Sequence, residues 1–320
     1  MQKEEQKITW KTMRQNQNTP KARSGHTFTQ VGNTFVLFGG VTEVKGECAK
    51  STNEVFTVRI TATDANWTPE NPKGDQPCPR TNHAACEIPG DLLFVFGGYF
   101  TPQKRLNDCH MLHVPSMTWS FPPNQPPPKQ LDNSPSPVGA PEPRAYATAT
   151  HINNKVYVFG GTGGGYYQRR AFNDVYALDL ETWTWKKLET SGNIPEARLS
   201  HVACAIGHKL LIFGGRSPSS QFNNCYTFDT TTNEWHDLEL WYGIPRWNMS
   251  AVYVEAIPSD KFFIFGGSVG EFDEGAQRNL GTMTNEIFVL DKNSMKIHAV
   301  EPEEEEGNGH LPDPREFGSM

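Results

Sequence analysis

Apolar and polar positions along the chain follow one pattern five times over. A short run of hydrophobic residues closes on Phe-Gly-Gly as FVLFGG at 35–40, LLFVFGG at 92–98, KVYVFGG at 155–161, LLIFGG at 210–215 and FFIFGG at 262–267. The first glycines, Gly39, Gly97, Gly160, Gly214 and Gly266, are spaced about 50 to 60 residues apart, a period that marks an array of equivalent units. The third unit shows the elements most plainly. An alternating stretch, AYATATHI, turns at Asn153-Asn154 into KVYVFGG; a loop leads to Asn173-Asp174 and VYALDL; and the unit closes on Trp183-Thr184-Trp185-Lys186. Each piece has four to eight residues, is rich in β-branched or aromatic side chains, and is bounded by Gly, Asn or Pro. This predicts four short antiparallel strands per unit, and no stretch holds helical spacing, so the chain is expected to be nearly all β.

The landmarks recur in order. An arginine opens each unit at Arg23, Arg80, Arg144, Arg198 and Arg246. An Asn with a polar neighbour precedes the third strand at Asn53-Glu54, Asn107-Asp108, Asn173-Asp174, Asn223-Asn224 and Asn285-Glu286. A tryptophan marks the fourth strand at Trp67, Trp119, Trp185 and Trp235, whereas the fifth unit carries Lys296-Ile297 there. The glycine doublets Gly39-Gly40, Gly97-Gly98, Gly160-Gly161, Gly214-Gly215 and Gly266-Gly267 are expected to be structural, since a residue without Cβ takes positive φ and lets neighbouring sheets approach closely. The periodic arginines are expected to hold fixed hydrogen bonds between units.

A doubled glycine after a hydrophobic strand, an upstream Arg, a polar pair before the third strand and a Trp in the fourth together resemble the kelch repeat. The resemblance covers nearly the whole chain. It implies one β-propeller domain of four-stranded blades standing radially around a central channel, with repeats at about 20–70, 79–122, 143–189, 197–240 and 245–300. The ends add a further expectation. Trp10, in ITWKTM, stands where a fourth strand would be, and Pro314-Arg315-Glu316-Phe317-Gly318 repeats the opening phrase of a unit. Residues 7–13 and 314–320 are therefore assigned to a sixth blade, with the intact protein expected to continue past Met320; a five-bladed ring is the alternative.

Composition narrows the function. The 320 residues are 36% hydrophobic, and no apolar run approaches the roughly 20 residues of a spanning helix. The N-terminal MQKEEQKITWK has no apolar segment of the secretory kind, so a cytoplasmic, membrane-independent chain is expected. Six cysteines without Cys-x-x-Cys pairing indicate neither a zinc ribbon nor a disulfide framework. A net charge of −7 argues against a dedicated nucleic-acid binder. Two segments stand apart from the repeats: a proline-rich loop at 120–143, and the acidic EPEEEEGNG at 301–309, read as a solvated linker.

Loops between second and third strands emerge on the same face as the connections between units, and this face is the candidate binding surface. It is expected to display Tyr99, Phe100, Lys104 and Arg105, then Tyr166, Tyr167, Gln168, Arg169 and Arg170. Arg216, Ser219, Ser220 and Gln221 follow from the fourth unit, and Glu271, Asp273, Glu274 and Arg278 from the fifth. Tyrosine and arginine on exposed loops give wide contact area and forked donors, which suits a protein partner or an acidic or phosphorylated peptide.

Catalytic readings fit poorly. His26, His83 and His201 recur at equivalent positions, Cys109, His110 and His113 lack a carboxylate cluster, and no nucleophile elbow or kinase-type set is present. No catalytic residue, metal or cofactor is assigned. The expected function is a non-catalytic interaction module; the alternatives are the substrate-selecting half of a larger phosphatase or ubiquitin-ligase assembly, and a cytoskeletal scaffold.

Overall fold

The computed structural model describes residues 8–9, 11–42, 50–123, 138–164, 169–241, 243–254, 261–270, 272–273, 278–279, 281–291, 296–300 and 302–303. Among them there is no helix; the regular structure is strand throughout. Trp10 and residues 314–320, assigned above to a sixth blade, lie outside the described residues.

Among the described residues, five sheets of four or five strands follow one another along the chain. In the first, Thr27–Val31 pairs with Thr34–Phe38, that strand with Val55–Ile60, and that with Asp64–Glu70, all antiparallel. The second repeats the order with Ala84–Ile88, Leu92–Thr101, Lys104–His113 and Thr118–Ser120. The third comprises Thr148–Ile152, Lys155–Phe159, Val175–Asp179 and Thr184–Lys187. Asn224–Asp229 and Glu234–Trp241 are the outer strands of the fourth, after Val202–Ile206 and Lys209–Phe213. The fifth has Ser250–Val254, Lys261–Phe265, Ile287–Asp291 and Lys296–Val300. A two-residue strand from the preceding connection adds in parallel to the outer edge of three sheets: Arg14–Gln15 on the first, Lys73–Gly74 on the second and Ser191–Gly192 on the fourth. Ile8–Thr9 pairs in the same parallel manner with Pro302–Glu303.

Alternation along each strand gives every sheet two apolar faces, and successive sheets share the cores between them. Phe38 of the first sheet meets Trp119 of the second with ring centroids 5.0 Å apart. Phe96 meets Trp185 at 5.4 Å and Phe159 meets Trp235 at 5.0 Å. In the first four sheets the Phe of Phe-Gly-Gly thus faces the next sheet, and Trp119, Trp185 and Trp235 face the previous one. Between the fourth and fifth sheets Phe213 lies in a core with Phe262, Ile264 and Phe288, and Ile297, in the tryptophan's place, packs against it.

The glycine doublets lie where sheets come closest. Gly39 has φ 69°, and a Cβ there would sit 2.8 Å from the Arg80 carbonyl oxygen of the next unit; at Gly160 the distance to the Arg198 oxygen would be 2.7 Å. The second glycine donates its N–H to that same carbonyl: Gly40 to Arg80 at 2.9 Å, Gly98 to Arg144 at 2.9 Å, Gly161 to Arg198 at 2.8 Å and Gly215 to Arg246 at 2.8 Å. A side chain here would therefore both strain the backbone and remove the hydrogen bond that joins neighbouring sheets.

Candidate functional site

Because the strands alternate in direction, the glycine doublets, the loops between second and third strands and the connections between sheets all lie at one end. The loops rise there as hairpins. In the second sheet Leu92–Thr101 and Lys104–His113 run on past the doublet to a turn at 102–103. In the third, Thr162–Gly163 pairs with Arg170–Ala171, and in the fourth Arg216 bridges both Leu199 and Gln221. In the first, Val41–Thr42 pairs with Lys50–Ser51 and with Arg23–Ser24.

Each hairpin stands on a buried arginine. The Arg80 guanidinium donates to the Gly97 carbonyl at 3.1 Å and to both oxygens of Asp108 at 2.9 and 2.8 Å. Arg144 does the same with Gly160 at 2.9 Å and Asp174 at 2.6 and 3.2 Å. Arg23 reaches Gly39 and Glu54, and Arg246 reaches Gly266 and Glu286. Arg198 bonds Gly214 at 3.0 Å but faces an amide, Asn224, at 2.9 Å, with Glu196 at 3.1 Å from its outer nitrogen. These side-chain bonds stay within one unit, which differs from the inter-unit role expected from the sequence. The crossing is made by the arginine's main chain and by the preceding Asn, since Asn53, Asn107 and Asn173 donate to the carbonyls of Pro77, Pro141 and Pro195 in the next unit.

Electrostatics follow burial. For Arg80, burial works against the charge, but the Asp108 carboxylate outweighs it and raises the pKa. Asp108 is held far below the usual carboxylate range, burial being overcome by Arg80 and by His110, whose Nε2 lies 3.0 Å from it. Arg198, without a buried carboxylate, is lowered by burial to about 10. His110 also contacts the Asp75 carbonyl at 3.2 Å, which makes it part of this network.

The expected surface residues divide. Tyr99 and Phe100 are half-buried on the second hairpin, beside a half-buried Lys104. Arg105 is buried rather than displayed: it stacks over the Tyr99 ring at 4.9 Å, donates to the Tyr99 hydroxyl at 3.1 Å and to the Gly164 carbonyl of the third unit at 2.6 Å. Its guanidinium fixes two hairpins to each other and positions Tyr99. Arg169 is half-buried, and Arg170 is exposed and paired with Glu142 at 2.5 Å. Arg216 and Gln221 are half-buried, and Ser219 and Ser220 exposed, at the fourth hairpin. Tyr166, Tyr167, Gln168, Glu271 and Glu274 lie outside the described residues, and of Asp273 and Arg278 only the backbone pairing is described.

At the hairpin-bearing end lies a cavity of about 140 Å³, to which all five units contribute equivalent residues: Gly25-His26, Asn82-His83, Tyr146-Ala147, Ser200-His201 and Asn248-Met249. The first of each pair is two residues past the arginine and has φ between 53° and 64°. Main-chain bonds link them in series, Asn82 to Gly25 at 2.7 Å, Tyr146 to Asn82 at 2.9 Å, Ser200 to Tyr146 at 3.1 Å and Asn248 to Ser200 at 3.0 Å. The second residues join neighbouring sheets, as His83 Nε2 meets Thr27 Oγ1 and His201 Nε2 meets Thr148 Oγ1, both at 2.9 Å. Burial, aided by the nearby arginines, lowers His26 to about 4 and His201 to about 3. The imidazoles are therefore neutral at neutral pH. This axial cavity was not read from the sequence; the recurring position two past each arginine was its signal.

Comparison with known proteins gives a consistent result. A family model described as KLHDC2/KLHL20/DRC7 Kelch-repeats domain matches residues 25–169 and 134–320. The flagellar outer arm dynein alpha chain of Chlamydomonas reinhardtii is 29% identical over 277 residues, 82% of this chain and 6% of that protein. Host cell factor of Drosophila melanogaster is 32% identical over 62% of this chain and 14% of its own length. Kelch domain-containing protein 3 of Bos taurus is 31% identical over 66% of this chain and 52% of its own. The chain thus spans about half or less of the length of these relatives. Among the described residues, no helix is long and apolar enough to cross a membrane.

Proposed function

Since the chain belongs to the kelch-repeat family, we propose that it is a non-catalytic protein-interaction module that presents its hairpin-bearing face to a protein partner. The observation that carries this reading is the concentration of aromatic and cationic side chains on that face. Tyr99, Phe100, Lys104, Arg169, Arg170 and Arg216 lie on adjacent hairpins whose bases are fixed by the buried arginines. Tyrosine supplies contact area at low entropic cost and arginine pairs with carboxylates, so an acidic or phosphorylated peptide is the ligand this surface suits. Arg170 already holds one carboxylate, Glu142, with a single Nη 2.6 and 2.5 Å from its two oxygens. A cytoplasmic adaptor role accords with this reading.

The blade count we propose is six. Two half-built cores support it. On the fifth sheet Val254 is 40% exposed, whereas the equivalent Ile88, covered by the third sheet, is 1% exposed. On the first sheet Trp67, Phe28 and Phe35 form the kind of face that elsewhere meets the preceding sheet, with Phe28 5.4 Å from Phe35 and 6.0 Å from Trp67. Ile8–Thr9, paired parallel with Pro302–Glu303, stands to that pair as Thr118–Trp119 stands to Lys73–Gly74, in the position of a fourth strand.

The test of function is affinity capture with the chain, with a Tyr166→Ala, Arg169→Ala, Arg170→Ala variant, and with an Asn33→Ala, Glu181→Ala control on the opposite turns. Loss of a partner from the hairpin variant alone is expected. Loss from the control alone moves the contact to the other end and overturns the reading.

A further inference from the structure

The hairpin tips of the second and fourth sheets each begin with a hydroxyl residue followed by proline, Thr101-Pro102 and Ser217-Pro218. In both, the side-chain oxygen accepts main-chain N–H groups from the turn that follows. The Lys104 N–H donates to Thr101 Oγ1 at 3.2 Å, and the Ser219 and Ser220 N–H groups donate to Ser217 Oγ at 3.3 and 3.0 Å. Pro102, Gln103, Pro218, Ser219 and Ser220 are exposed, with Thr101 and Ser217 half-buried beside them. Two-residue hairpins are closed best by primed turns with positive φ, which proline excludes by fixing φ near −65°. Neither Pro102 nor Gln103 has positive φ. The tip at 102–103 is thus closed by a turn that fits the twist of its strands poorly, and it opens at less cost than the hairpin base, which Arg80 and Asp108 hold.

We propose that Thr101 and Ser217 are phosphate-acceptor sites for a proline-directed serine/threonine kinase, and that their phosphorylation switches off the cationic hairpin face. The switch rests on the interaction reading above; the acceptor sites do not. A kinase of this class selects proline directly after the acceptor and favours a cation three positions on, and Thr101-Pro102-Gln103-Lys104 supplies both. In each transfer the hydroxyl oxygen bonds the γ-phosphorus of Mg·ATP, the bond from that phosphorus to the β,γ-bridging oxygen breaks, ADP leaves, and the hydroxyl proton passes to the kinase's base. The N–H groups already turned toward Thr101 and Ser217 then donate to an anion, which strengthens them. Each phosphate brings about −1.5 to −2 charges at pH 7, so two of them offset the cations that Lys104, Arg169 and Arg216 contribute to the same hairpins, and an acidic ligand meets like charge. The fold separates these sites from Thr68-Pro69, which has the same dipeptide but lies within the fourth strand of the first sheet, paired with Thr57 and Phe56. Thr19, also before a proline, is exposed ahead of the first unit and on no hairpin; Ser134 and Ser136 lie outside the described residues.

The test incubates the whole native chain with Mg·ATP and, in parallel, a cyclin-dependent and a mitogen-activated protein kinase, and locates phosphate by peptide mass spectrometry. Transfer to Thr101 and Ser217 is expected, with Thr68 labelled at least about ten-fold more slowly because its strand must first detach. Thr101→Val with Ser217→Ala should remove the tip phosphates while the melting transition is kept. The phosphorylated chain is expected to capture at least about ten-fold less partner than the untreated chain, the equivalent of 1.4 kcal/mol. Kinase treatment of the Thr101→Val, Ser217→Ala variant should leave its capture unchanged. No phosphate at either tip with both kinases, or Thr68 labelled as fast as the tips, overturns the acceptor sites; phosphorylated tips with undiminished capture overturn the switch. Because transfer to the tips is read with no partner present, its failure is distinct from failure of the hairpin face in affinity capture.

Discussion

The second and fourth sheets pose the same packing problem and solve it differently. Arg80 and Arg198 occupy equivalent positions, both fully buried, and both donate to the carbonyl of the first glycine in their own doublet. Arg80 then meets the two oxygens of Asp108, which also contacts His110; Arg198 meets the amide oxygen of Asn224 and, among the described residues, pairs with the carboxylate of Glu196, whose side chain is 62% exposed. Geometry is thus conserved between the two sheets while charge compensation is not. The hydrogen-bond fork is what the hairpin base needs, and the carboxylate is a separate contribution whose worth depends on how completely both charges leave water.

The comparison can be broken most severely at Asp108. Asp108→Ala strands the Arg80 charge without its carboxylate in a site no water reaches, and should cost about 3–5 kcal/mol in chemical denaturation. The fourth sheet should suffer less: Arg198→Met removes a buried charge that has no buried counterion, leaves Asn224 to be satisfied otherwise, and should cost about 1–2 kcal/mol. Should Arg198→Met prove as damaging as Asp108→Ala, charge compensation would not be what distinguishes the sheets.

Acid provides the next test. In the unfolded chain the histidines titrate near the ordinary 6.5, whereas folded His26 and His201 titrate near 4 and 3, burial being the main cause. As pH falls below about 6.5 the unfolded chain binds protons that the native chain refuses, so stability is fully present above that value and declines toward pH 4. Asp108 contributes in a lower window, since its depressed pKa matters only once pH falls below the unfolded carboxylate value. Melting between pH 7 and 4.5 should therefore show a decline that His201→Gln makes shallower and that Asp108→Asn leaves nearly unchanged in slope. An equal slope in the His201→Gln variant would remove histidine burial as the cause. The smallest expected effect sharpens the comparison: Asn224→Asp gives Arg198 the carboxylate that Arg80 has and should raise stability by about 1 kcal/mol. Destabilisation instead would show that desolvating the new carboxylate outweighs its attraction to Arg198.

The fold was legible because its repeating devices are local in sequence. Phe, Gly and Gly at the end of a second strand, and Trp in the fourth, are read within one unit, and the packing of Phe38 on Trp119 is the same contact as Phe159 on Trp235. Even the missing fifth tryptophan left a usable trace, because Ile297 packs in its place. Contacts that cross units were harder to see. The pairing of Thr27 with His83 spans 56 residues, and it alternates with apolar neighbours such as Ala84 and Ala147, so no single unit reveals it. The polar pair before the third strand hid a division of labour: Asn107 reaches the next unit, while Asp108 turns back to its own arginine. At the candidate surface, residue type alone placed Arg105 outward. The second-sheet strands instead continue past their doublet, and the hairpin lays that guanidinium against Gly164 of the third unit.

Which end of the sheets meets a partner is read directly by hydrogen exchange on the complex with the captured protein. Slowed exchange is expected at 99–105, 162–171 and 216–221, with the turns at 61–63, 114–117 and 180–183 unchanged. Protection confined to those turns would contradict it.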